Sequence, residues 1–211
     1  MTISFARHQF PPAIIRRAVW LYVRFTLSYR DVEDLLAERG LDVSYETVRR
    51  WVLKFGPLFA RELRSRRPRP TSRWHLDEMA VVIAGRQFWL WRAVDDEGEV
   101  LDLLMQQRRD KAAAVKLMRK LLKKQGFAPE ALVTDKLRSY GAAKSEMRLW
   151  ARHEQGLRKN NRAENSHLLV RRRERKMQRF KCPDQPNASC PFMPPSTTRS
   201  TFNVQRHEPE L

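Results

Sequence analysis

Apolar residues recur at helical spacing from the start of the chain. Ile14, Ile15, Ala18, Val19, Leu21, Tyr22 and Phe25 share one face of a helix over 12–26, with Pro12 near its first position. Ser28, with Asp31 three residues on, reads as the cap of a second helix that buries Val32, Leu35 and Leu36 and stops at Gly40. Ser44 can cap a third, from Tyr45 to Phe55, which Gly56-Pro57 should end. Two short helices around a Gly-containing turn outline a helix-turn-helix. Residues 61–73 are basic and Pro-containing and read as an extended linker. From Trp74 the period changes to that of strands. Leu76 to Ile83, Phe88 to Val94 and Val100 to Met105 are three strands with tight turns at Gly85-Arg86 and around Gly98, so they should pair antiparallel. A helix follows from Asp110 to Gln125, then a short buried strand over 131–134, expected to add in parallel. Another strand is expected near Trp150 to His153, and a last helix from Glu164 to about Phe180. The order gives an α/β domain with a mixed sheet and flanking helices, preceded by an all-α domain. Residues 182–200, rich in proline, are read as irregular.

Composition adds a partner. The 211 residues carry 42 Lys and Arg against 24 Asp and Glu, a net charge of +18. A charge that large favours a polyanion, because binding nucleic acid releases its counterions. Hydrophobic content of 42% is enough for a packed core. A membrane is not expected as partner, since no apolar run approaches the roughly 20 residues of a span. Cys182 and Cys190, both in the tail, form no disulfide framework or metal knuckle. With no signal-peptide core at the N-terminus, a reducing cytosol is the expected location. In the third predicted helix Tyr45, Arg49, Arg50 and Lys54 point away from the apolar face, as base- and phosphate-contacting residues would. A plain helical hairpin with a solvated face has the same pattern; the charge favours DNA.

Three acids stand out against this background. Asp77 falls within the first strand, Asp135 at the carboxyl end of the fourth, and Glu164 at the head of the last helix. If the first and fourth strands are neighbours, the two aspartates lie side by side, and the helix can carry Glu164 over them. Hard oxygen donors suit Mg²⁺ or Mn²⁺, and two ions about 3.5–4 Å apart can hold the attacking and leaving oxygens of a displacement at phosphorus. Each acid also has a duller reading as a turn or ion-pair residue. Glu78 should face the opposite side of the sheet from Asp77. Arg171, two helical turns after Glu164, shares its face and can reach a phosphate. Arg172, Arg173 and Lys176 spread charge round the rest of that helix, as expected of a helix lying against DNA phosphates, and Lys136, Arg138 and Tyr140 flank the second acid and could hold DNA backbone. His167, one turn beyond Glu164, is a further candidate. Trp74, Trp89, Trp91 and Trp150 are expected to pack in the core or on the sheet.

These segments together resemble a family. Leu27-Ser28-Tyr29-Arg30-Asp31-Val32-Glu33, Val43-Ser44-Tyr45-Glu46-Thr47-Val48-Arg49-Arg50-Trp51, Trp74-His75-Leu76-Asp77-Glu78 and Leu90-Trp91-Arg92-Ala93-Val94-Asp95 are similar to motifs of the DDE transposases of the insertion-sequence-six family. So are Thr134-Asp135-Lys136-Leu137-Arg138-Ser139-Tyr140 and Arg158-Lys159-Asn160-Asn161-Arg162-Ala163-Glu164-Asn165-Ser166-His167. The resemblance covers about residues 8–181. It implies a helix-turn-helix domain over 1–57 that binds terminal inverted repeats, a basic linker over 58–73, and a ribonuclease-H-like catalytic domain over 74–181. It implies magnesium-dependent cleavage and strand transfer into target DNA by at least a dimer on paired ends. Asp77, Asp135 and Glu164 match the family's catalytic, metal-binding triad, and Arg171 its basic residue after the glutamate. The chain departs from the family after Lys181. Back-translated in a frame displaced by two bases, residues 184–199 read as an amphipathic helix of the kind the family continues with. The expectation is two compensating frameshifts and an early stop over 182–211, and hence a decayed copy whose alternative role is inactive DNA binding.

Overall fold

The computed structural model describes residues 3–67, 69–135 and 137–177. The predicted tail, including both cysteines, lies outside the described residues, as does Lys136. Two compact units divide the chain, one helical and N-terminal, the other spanning Arg69–Glu174.

The helical unit holds α1 (Pro12–Arg24), α2 (Tyr29–Ala37) and α3 (Tyr45–Ser65). Pro12 sits in the first turn of α1, where its missing N–H costs nothing. Ser28 and Asp31 form a reciprocal capping box on α2: the Asp31 amide donates to Ser28 Oγ at 3.1 Å, and the Ser28 amide to Asp31 Oδ2 at 2.8 Å. Replacing Ser28 with Ala should cost about 1 kcal/mol of stability in urea denaturation; no measurable shift would remove the box as a determinant. Gly40, at φ 72°, closes the turn toward α3. Ile15, Val19, Val32, Leu36, Val48, Trp51 and Phe55 form the core.

α3 departs from expectation. It does not end at Gly56-Pro57 but runs through Pro57 to Ser65, so the first part of the expected linker is helical. A proline inside a helix costs about 3 kcal/mol. Apolar contact offsets it: Phe55 stacks on Phe5 with ring centroids 4.9 Å apart and on Phe59 at 6.2 Å, and Ala60 is buried.

The second unit is a five-stranded sheet of order β3-β2-β1-β4-β5, built from β1 (Arg73–Ile83), β2 (Arg86–Asp95), β3 (Val100–Gln106), β4 (Ala131–Thr134) and β5 (Arg152–Gln155). β1, β2 and β3 pair antiparallel through tight turns, and β4 and β5 add in parallel. This is the mixed sheet read from the sequence, in the ribonuclease-H-like arrangement that the family resemblance implies. The parallel step needs a crossover, which α4 (Lys111–Gln125) supplies. Asp110 caps α4 by accepting from the Ala113 amide at 2.9 Å, and Gly126 ends it. α4 and α5 (Arg138–Glu146) cover one face, packing Leu117, Leu121, Tyr140 and Ala143 on Trp74, Leu76 and Trp91.

α5 is absent from the sequence reading. Its nine residues carry a weak apolar stripe and a central Gly141, and its cap, Leu137, offers no side-chain bond. The preceding aspartate helps instead: Asp135 Oδ1 accepts from the Leu137 amide at 2.9 Å. Trp150 also differs. It is 99% exposed, in the loop before β5, while Trp74 and Trp91 are buried as expected. A 3-10 turn, Leu157–Asn160, leads into α6 (Asn161–Lys176), which starts three residues earlier than the sequence indicates. Among the described residues no helix is long and apolar enough to cross a membrane.

Candidate functional site

Strand register creates the site. β1 and β4 are neighbours, and their last paired positions are Leu76 and Thr134. The residue after each is an aspartate, Asp77 within β1 and Asp135 just past the end of β4, so the two lie side by side where the pairing stops. Asp77, Glu78 and Asp135 each offer a carboxylate oxygen within 4.8 Å of the others. The opening lies at the carboxyl end of β4, where sheet-based sites generally form.

The two faces of β1 divide the roles. Asp77 points toward α6, where His167 Nδ1 lies 3.2 Å from Asp77 Oδ2. His167 is itself buried, so α6 delivers an imidazole that orients Asp77. Glu78 points to the other face, as alternation requires. Its side chain is completely buried and accepts from Tyr140 Oη at 2.7 Å and from Arg109 Nε at 2.7 Å. Burial pushes its carboxyl above the usual range, against the pull of these two donors. Tyr140, fully buried, is raised well above its ordinary value, first by desolvation and then by Glu78. Tyr140 is therefore a core residue and not the backbone contact its flanking position implied. Arg109, from the loop between β3 and α4, lies over the Trp89 ring at 5.0 Å and reaches to 3.7 Å from Asp135 Oδ2.

Glu164 occupies the first turn of α6, is exposed, and lies outside the group of three acids within 4.8 Å. It stands one turn from His167, on the part of α6 that meets Asp77. Arg171 is exposed and 3.3 Å from Glu174. Glu174 in turn accepts from the Val82 amide at 3.1 Å, so it docks α6 on β1.

The predicted DNA contacts separate by exposure. Arg49, Arg50 and Lys54 project from α3 into solvent, and Tyr45 is half-buried beneath Arg30, whose guanidinium lies 4.6 Å from its ring. Arg138, Arg172 and Lys176 are exposed. Arg173 is not: it is 1% exposed, because a helix that docks one face on a sheet buries whatever occupies that face. It is thereby corrected from a phosphate contact to an interior residue.

Sequence reasoning missed three contributors: Arg109, the buried role of Glu78, and Arg92. Arg92 faces Asp77 across the β1–β2 ladder, is 4% exposed, and is pulled by burial to about 10. Its strand position opposite a candidate acid was the available signal.

A mixed sheet with paired carboxylates where the pairing of two neighbouring parallel strands ends, and a further acid on a late helix, is the frame of the DDE class of DNA-processing domains. Residues 71–188 match the family model DDE_Tnp_IS240, a DDE domain, and the chain belongs to that family, the transposases of the insertion-sequence-six type. It is 34% identical over 143 residues to the transposase for insertion sequence-like element IS431mec of Staphylococcus aureus strain Mu50, covering 68% of this chain and 63% of that protein. It is 33% identical over the same length to the transposase for insertion sequence element IS257 in transposon Tn4003 of Staphylococcus aureus. The chain thus spans under two thirds of these relatives' length. Among solved structures, the HTLV-2 integrase catalytic core domain in complex with magnesium aligns at 13% identity and a TM-score of 0.44, over 58% of this chain and 80% of that one. The simian T-cell lymphotropic virus intasome aligns at 14% identity and a TM-score of 0.45, over 92% and 74%.

Proposed function

We propose that this chain acts as an insertion-sequence transposase: it binds terminal inverted repeats and carries out metal-dependent cleavage and strand transfer of DNA. The observation that carries the reading is the side-by-side placement of Asp77 and Asp135 where the parallel pairing of β1 and β4 ends. Both carboxylates keep a solvent-facing edge, with 13% and 21% of their side chains exposed. Hard oxygens in that setting fit Mg²⁺ or Mn²⁺. When bound, such ions lower the pKa of an attacking water or 3′-hydroxyl and neutralise charge on the phosphate. Asp77 and Asp135 would hold them, two ions being the expected number, with Glu164 as third ligand one turn from His167.

This chain's own residues do the rest. His167 fixes the orientation of Asp77. Arg171, two turns beyond Glu164, would contact a phosphate beside the acids. Arg138 and Arg172 present exposed positive charge, as do Lys159 and Arg162 in an open polar cleft whose other lining residues include Arg73 and His75, both paired with Asp96, on the face of β1 that carries Asp77. A duplex laid along these groups would gain from counterion release. In the helical unit Arg49, Arg50 and Lys54 of α3 would read and clamp the inverted repeats, as a recognition helix does. Lys136, adjoining Asp135 in sequence, is proposed as a further backbone contact. Action on two transposon ends calls for a homodimer or larger assembly, in the bacterial cytoplasm at the nucleoid.

The test is nicking of a supercoiled plasmid carrying candidate inverted repeats. The purified chain should nick at the repeats with Mg²⁺ and not with chelator. Binding without nicking would leave a DNA-binding protein without chemistry, and nicking indifferent to the repeats would indicate a nuclease of the same fold.

A further inference from the structure

We propose that Glu78 is a positioning residue: it tethers Arg109 and so keeps Asp135 open to a divalent cation, without itself binding the metal. The inference rests on the reading that Asp77 and Asp135 hold such a cation.

By distance alone Glu78 qualifies as a third ligand, since its oxygen lies within 4.8 Å of those of Asp77 and Asp135. Its bonding argues otherwise. Oε2 accepts from Tyr140 at 2.7 Å; Oε1 accepts from Arg109 Nε at 2.7 Å and Nη2 at 2.5 Å. Both oxygens are engaged, and the side chain has no solvent exposure. A cation bound there would have to strip a buried carboxylate of its donors, and unpaired buried donors are costly.

Arg109 is the other half of the device. Its side chain is 38% exposed and comes from a loop, so it is held by what it touches. Trp89 supports it from one side at 5.0 Å. The fork closes on Glu78 and stops 3.7 Å from Asp135 Oδ2, close enough for an ion pair but beyond hydrogen-bond distance. Freed from Glu78, the same guanidinium has Asp135, with which it already pairs, as its nearest remaining acid among the described residues. Charge-assisted, bidentate Arg–carboxylate pairs are strong, and one at Asp135 would occupy the oxygens a cation needs. The tether therefore prevents an internal cation from competing with the metal.

The arrangement predicts a rescue that a metal ligand would not show. Mn²⁺ binding to the full-length chain is measured by isothermal titration calorimetry, without reliance on turnover. Glu78→Gln should weaken Mn²⁺ binding by about 10–100-fold, the usual loss for a group that orients a ligand. Adding Arg109→Gln to it should restore affinity to within about threefold of the unsubstituted chain, a small fraction of that loss. Arg109→Gln alone should not weaken binding. If the Glu78→Gln loss persists in the double variant, Glu78 is a ligand and the tether is wrong. Unchanged Mn²⁺ binding by Glu78→Gln also overturns it. Should Glu78→Gln fail to fold by circular dichroism, Arg109→Gln decides: a tenfold loss there would make Arg109 an aid to the metal and refute its role as competitor. An unsubstituted chain that takes up no Mn²⁺ overturns the metal reading and the tether together. Normal Mn²⁺ binding with no rescue overturns the tether alone.

Discussion

Asp135→Asn should abolish strand transfer while inverted-repeat binding stays within about twofold. The amide keeps the volume of the carboxylate and, through Oδ1, its bond to the Leu137 amide, so the turn into α5 survives. What goes is the negative charge beside Asp77. A metal contributes several kcal/mol of transition-state stabilisation, so loss of its ligand should lower the rate on the order of 10³-fold or more. The measurement is joining of a labelled transposon end to plasmid target, alongside a gel-shift titration on the same end. Transfer within tenfold of the parent would remove Asp135 from the reaction. Loss of both transfer and end binding would mean the substitution had damaged the fold, which circular dichroism would report.

Trp91→Ala should cost about 3–5 kcal/mol of stability, a large share of the roughly 5–15 kcal/mol that holds a domain together. Trp91 is wholly buried in the middle of β2, next to β1 on the face covered by α4 and α5. Its ring meets Tyr140 edge-on at a centroid distance of 5.5 Å. Removing it opens a cavity directly behind the phenol that holds Glu78. Urea denaturation of the variant gives the number, and a loss below about 1 kcal/mol would mean the core closes over the gap. Trp150→Ala, by contrast, removes a ring that is 99% exposed and should leave the midpoint nearly unchanged. The pair shows that the same residue type sits in opposite environments, a difference its local sequence did not announce.

Much of the architecture was legible in advance, for physical reasons that differ by element. The four-residue strand over 131–134 was found because a short apolar run after an amphipathic helix has few other fates. The cap at Ser28 was found because both partners of the box lie three residues apart. α5 was not, because its stability comes from burying Tyr140 and Ala143 against a sheet whose strands are distant in sequence. The passage of α3 through Pro57 was missed for a like reason: the contact offsetting the proline comes from Phe5, far back in the chain.

What the sequence settled by itself is what depends on near neighbours: the period of the strongly patterned elements, the cap at Ser28, the hairpin turns at Gly85 and Gly98, the excess of positive charge, and the placement of Asp77 and Asp135 relative to their strands. Tertiary structure alone decided which side chains meet. It set Glu78 against Arg109 and Tyr140, 31 and 62 residues away, sent Arg173 inward, and left Glu164 on the surface. Such pairings follow from strand order and helix docking, and a charged residue carries no local mark of the partner that the folded chain will bring to it.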